Sequence, residues 1–208
     1  GGGLVVNDGS FATLQASSIS GDTCVISNNQ ADVHGGGVYL MKIANVTMVD
    51  GSIQGCQSGE NGGAIYVDRI DDKQPLFALS DVEIGVVGNG NSANSDGGGM
   101  YVESADTPMV VLDATCELVD NTATDGRGGH FFVEASSPTD EVSGVQWVDG
   151  IQCSGGSALN GGTLAWNQGI LNLDSGSTGW IDVLASTATG DGGVIWGGDN
   201  ITLALDVV

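Results

Sequence analysis

Two columns of residues in this 208-residue chain have the types and spacing for chemistry. The first is an Asp that recurs about every thirty residues, at Asp50, Asp81, Asp113, Asp149, Asp174 and Asp206, with Gln15 at the matching first place. Carboxylates stacked roughly 5–7 Å apart repel by about 1 kcal/mol in water and about 3 at an effective dielectric of 20. Two devices offset this: each Asp accepts backbone N–H bonds at a turn, or the ladder holds Ca²⁺, which takes carboxylate and carbonyl oxygens. The second column is Tyr66, Tyr101 and Phe132, followed two residues on by Asp68, Glu103 and Glu134. Aromatic rings beside carboxylates suit a sugar-binding face. The alternative is a cover, because the segments that follow hold all three prolines, Pro75, Pro108 and Pro138, and fold back over the rings. Glu103 and Glu134 also meet the ~5 Å carboxyl spacing of a retaining glycosidase, as any carboxylate ladder does.

The spacing comes from an internal repeat. A motif of Gly-Gly, a small residue, an aliphatic, an aromatic and an aliphatic starts near 1, 35, 62, 97, 128, 161 and 192, a mean period near 32 residues. Its alternation reads as a strand. The fourth slot (Leu4, Val38, Ile65, Met100, Phe131, Leu164, Ile195) faces inward and the fifth (Val5, Tyr39, Tyr66, Tyr101, Phe132, Ala165, Trp196) outward. Each repeat adds a second alternating stretch, such as Val46–Val49 or Leu76–Leu79, and a third, such as Cys24–Ile26 or Val82–Ile84. Three short strands per repeat without helical periodicity predict an all-β, single-stranded parallel β-helix. It has about seven coils, forms one domain over 1–208, and stacks at about 4.8 Å per coil. The paired glycines fit a corner that needs φ > 0 or close backbone approach.

Gly62-Gly63-Ala64-Ile65 resembles the repeat of polymorphic outer-membrane proteins, found in autotransporter adhesin passengers. Ile26-x-x-Asn29 and Leu118-x-x-Asn121 are similar to that family's Phe-x-x-Asn companion motif, with an aliphatic in place of Phe. Asn29-x-Ala31, Asn91-x-Ala93 and Asn121-x-Ala123 stand at one distance before the Gly pairs. The resemblance implies a right-handed β-helix at a cell surface, adhesive or structural in role.

Charge narrows the partners. With 26 acidic and 4 basic residues the net charge is −22. Nucleic acid is excluded for want of a basic footprint, and no apolar run reaches the ~18–20 residues of a membrane span. Lyases resembling this fold lean on Lys or Arg, in thin supply here, so a polysaccharide lyase or glycosidase ranks below a non-enzymatic role. His34 and His130 fall three coils apart, about 14 Å, too far to share a metal, and each reads as a surface residue. Cys24 with Cys56, and Cys116 with Cys153, lie in adjacent coils, leaving open two disulfides or four buried thiols. Sequons stand at Asn45 and Asn200. Neither end carries a polar cap, so Gly1, Gly2 and Gly3 at one end and Leu203, Leu205, Val207 and Val208 at the other are expected self-association edges. The expectation is an extracellular or cell-surface solenoid. It stacks head to tail on itself or belongs to a longer solenoid, needs no cofactor beyond optional Ca²⁺, and has surface glycans as an alternative partner.

Overall fold

The computed structural model describes residues 1–7, 9–15, 23–42, 44–68, 76–103, 110–113, 116–134, 141–142, 145–147, 151–167, 169–172, 181–198 and 201–204. Among them every regular element is a strand and every pairing is parallel. The chain is a β-solenoid. The first sheet stacks seven strands, Leu4–Val6, Val38–Met41, Ile65–Asp68, Met100–Glu103, Phe131–Glu134, Leu164–Trp166 and Ile195–Gly197, one from each motif and in chain order. Its register runs through the fourth slot without a slip, from Leu4 on Val38 to Leu164 on Ile195. That slot is apolar in every repeat. A one-residue slip would turn it out of the core, so the pattern itself pins the register.

The glycine pair has two separate causes. Gly62 sits at φ +66°, where a side chain is strained. The next glycine lies against the neighbouring coil: a Cβ on Gly36 would stand 2.4 Å from the carbonyl oxygens of Gln57 and Gly63.

In the first five repeats the second and third stretches belong to one sheet, not two. Asn45–Gln54 and Leu76–Ile84 are each a single strand, bent at Asp50 and Asp81, both at φ +55°. The third face is made by strands that the alternation did not reveal: Gln30–Ala31, Gln57–Ser58, Ser92–Ala93, Thr122–Arg127, Ser157–Asn160 and Thr187–Ala188. Most hold only two residues, too few to show a period. The Asn-x-Ala spacing was their trace. A further three-stranded sheet joins Glu141–Val142, Gly169–Asn172 and Ile201–Ala204. Between the faces lies one continuous apolar core, filled by Phe77, Phe131, Trp166, Met48 and Met100 among others.

All four cysteines are free. Register explains it: Cys24 stands on Gly51, not Cys56, and Cys153 on Leu118, not Cys116. Cys56, Cys116 and Cys153 are buried as small apolar residues, and burial pushes the Cys116 thiol up to about 11.

Candidate functional site

The aromatic column is in register as expected, Tyr39 on Tyr66, Tyr66 on Tyr101, Tyr101 on Phe132. It points away from the main core, yet it is not open: Tyr66, Tyr101 and Phe132 are only 6, 4 and 1 % exposed and form a second apolar cluster with Ala165. The rings stack at the rung spacing, Tyr66 and Tyr101 at 4.8 Å between centroids and 7° between planes. His34 stacks on the outer face of Tyr66 at 4.3 Å, and its Nε2 lies 3.6 Å from Glu60. Arg127 lies over Phe132 at 4.3 Å and reaches toward Trp196 at 5.4 Å. Its guanidinium is fixed by Asp96, with Nε to Oδ1 at 3.0 Å and Nη2 to Oδ2 at 2.6 Å. No ring face is left for a sugar to stack on among these three residues. The segments with Pro75, Pro108 and Pro138 lie outside the described residues.

The carboxylates of the column are engaged too. Tyr39 donates its hydroxyl to Asp68 at 2.6 Å, and Tyr101 donates to Glu134, each one coil further on. Burial, and then the charges of Glu103 and Asp68, push the Tyr66 phenol far above its usual range. Burial, and then Asp96, raise the Glu134 carboxyl. Glu103 and Glu134 do stand on adjacent rungs, but Glu134 is tied to a phenol rather than held free for proton transfer. Tyr101→Phe is expected to cost about 1.5–3 kcal/mol, the value of a hydrogen bond to a charged group, read as a lower urea midpoint. A change within about 0.5 kcal/mol, the range of an inert surface site, would show that the bond contributes nothing.

The Asp column divides. Asp113 accepts from the Ser80 hydroxyl and from the Asp81 N–H at 3.4 Å, which is the backbone-bonding device. Asp50 and Asp81, with Gly51, Glu83, Glu117 and Thr23, line a shallow cavity of about 260 Å³. Among the described residues no three His, Cys, Asp or Glu side chains converge as a metal would require. Asp149, Asp174 and Asp206 lie outside the described residues, as do Leu205, Val207 and Val208. Leu203 is in the strand that pairs with Gly169–Asn172. Gly1–Gly3 lie along the next coil, Gly2 donating to the Gly35 carbonyl at 3.0 Å.

One polar column was marked in the sequence only as the Asn-x-Ala spacing, with no bonding role assigned to it. Asn91 and Asn121, at the corner before the third sheet, are 1 and 0 % exposed. Asn121 Oδ1 accepts from the Asn91 N–H at 3.0 Å and from Asn91 Nδ2 at 2.9 Å. Its own Nδ2 donates to the Ile84 carbonyl at 2.7 Å and to His130 Nδ1 at 3.0 Å. Both lone pairs and both hydrogens are thus used. Asn91 repeats the pattern one coil earlier, donating to the Ile53 carbonyl and accepting from the Cys56 N–H. His130 is therefore not at the surface but fully buried, and burial holds its imidazole down at about 4 against partial offsets from the Ser154 carbonyl and Asp120. One signal for it was in the sequence. Gly156 occupies the corner place that Asn121 holds one coil earlier, and a Cβ there would stand 2.7–2.8 Å from the His130 ring.

These columns define the class: a parallel β-solenoid whose side chains are spent on tying each coil to the next. No family model, no curated protein and no solved structure matches the chain.

Proposed function

We propose that the chain is a non-enzymatic, extracellular β-solenoid of structural or adhesive role. It acts as a subunit that stacks head to tail or as a stretch of a longer surface solenoid. One observation carries the reading. The groups that could have done chemistry, the phenols of Tyr39 and Tyr101, Asp68, Glu134, Asp96, Asp113 and Arg127, bond from coil to coil instead. The similarity of Gly62–Ile65 to adhesin-passenger repeats and the acidic surface agree with it. The second reading is a cation-binding module along the Asp column, whose described carboxylates line a cavity by Asp50 and Asp81 without converging on one point.

Electron microscopy of the natively purified material, with and without chelator, separates the versions. Fibres with an axial repeat of about 34 Å, seven rungs of strand spacing, are expected of a polymerising subunit, and discrete rods of a longer passenger. The melting temperature is expected to stay put on chelation. A fall of many degrees would move the assignment to the cation-binding reading, and turnover of a polysaccharide would overturn the proposal outright.

A further inference from the structure

Asn45, Val46 and Thr47 open the strand Asn45–Gln54 and form an Asn-x-Thr sequon. The strand's alternation sorts their side chains. Val46 and Met48 are buried in the core, so Asn45 and Thr47 point outward, Asn45 partly exposed and Thr47 exposed. The Asn45 backbone N–H is held by the Ser10 carbonyl at 2.9 Å. Among the described residues its side-chain amide makes no hydrogen bond. That sets it apart from Asn91 and Asn121, whose amides are spent in the core. The neighbours of Asn45 on the adjacent rungs are apolar, Phe11 on one side and Leu76 on the other, both in register with it. Both are exposed, Phe11 to 80 %.

We infer that Asn45 carries an N-linked glycan whose first sugars lie over Phe11 and Leu76. The inference rests on the extracellular side of the proposed function, because this modification is made on chains entering a secretory route. The donor is an oligosaccharide on a lipid diphosphate, and a membrane transferase of that route supplies the catalysis. Asn45 Nδ2 forms a bond to C1 of the first sugar. The bond from C1 to the diphosphate oxygen breaks, the diphosphate leaves with that electron pair, and the amide gives up one proton. Nothing is oxidised or reduced. The Thr47 hydroxyl completes the acceptor motif. Transfer precedes folding, so the fold has only to leave room for the product. It does so with an outward side chain that has no bond to lose. It also gives the product a place to rest. One side of a sugar ring presents C–H bonds, which the electron-rich face of an aromatic ring attracts. Phe11 offers the open ring that Tyr66, Tyr101 and Phe132 lack. A bulky, hydroxyl-rich cover turns an exposed apolar pair into a solvated surface.

The test is peptide mass mapping of the natively purified chain before and after a glycan amidase. A sugar mass is expected on the peptide that holds Val46 and Thr47, with Asn45 converted to Asp when the sugar is removed. In chains secreted from a glycosylating host, Thr47→Ala is expected to abolish the modification at Asn45 and Thr47→Ser to keep it. Circular dichroism and melting check that both variants fold. The bare Thr47→Ala chain is expected to bind a hydrophobic dye several-fold more strongly than the parent, and adding Phe11→Ser to return it to the parent level. Dye binding indifferent to the glycan would overturn the covering of Phe11, and a sugar that persists on Asn45 in Thr47→Ala would overturn the acceptor motif. A bare Asn45 in native material found outside the cell would remove this inference alone and leave the extracellular solenoid reading standing. A bare Asn45 in material found only inside cells would overturn both.

Discussion

Asn121→Ala is expected to destabilise the solenoid by about 3–5 kcal/mol. The side chain makes four hydrogen bonds in a site with no exposure. Its removal strands the Asn91 N–H, the Ile84 carbonyl and His130 Nδ1 in the core. Each buried group left unpaired costs about 1–3 kcal/mol, and water is too far away to replace the lost amide cheaply. Asn94→Ala, at an exposed position two residues past Ser92, is expected to stay within about 0.5 kcal/mol. Urea midpoints of the two variants make the comparison. Similar midpoints for both would mean that the corner column is decorative and that the core alone sets stability. Because solenoids unfold by neighbouring units, the transition of Asn121→Ala is also expected to broaden, the coils on either side losing their coupling.

The second large effect is on pH dependence. His130 accepts a bond from Asn121 at Nδ1, so in the fold its hydrogen is on Nε2, and a second proton must go onto the atom that Asn121 is already using. Burial reinforces this and holds the group at about 4, below its ordinary 6.5. Above pH 6.5 the folded and unfolded chains are both neutral at this group, and the fold has its full stability. As pH falls from about 6.5 through about 4, the unfolded chain takes a proton that the folded chain refuses, and stability drops by up to about 3 kcal/mol. Glu134, whose carboxyl is raised by burial, acts in the opposite sense, since the fold holds its proton more readily. His130→Gln keeps an acceptor for Asn121 but cannot titrate. Its denaturation midpoint is expected to be flatter between pH 6.5 and 4 than that of the parent chain. An unchanged slope would exclude His130 as the source of acid sensitivity.

The sequence showed the first sheet almost completely, because every motif repeats an inward apolar slot and a fixed glycine pair. Leu4, Val38, Ile65, Met100 and Phe131 could be placed on one line before any coordinates. What it did not show were properties that depend on a second layer. An alternation pattern says that Tyr101 faces away from the core; it does not say whether that side is then covered. His130 looked polar and hence external, whereas its slot faces a corner emptied by Gly156. The third sheet escaped notice because a strand of two residues has no period to read. The Asp column was legible as spacing, but its chemistry lay in Ser80, a residue of no evident interest, whose hydroxyl binds Asp113.

The regular separation between bonded partners has a consequence for how the molecule comes into being. Asn91 bonds Asn121 thirty residues on, and Cys56 bonds Asn91 thirty-five residues on; the rungs of all the sheets share this span. A nascent chain therefore never waits for a distant segment. Once two coils have been synthesised, each further thirty-odd residues find a finished template edge beneath them, and order spreads like the winding of rope onto a drum. Loop-closure entropy is paid in equal small steps. An error in one coil then halts the winding locally, and the coils already laid down keep their shape.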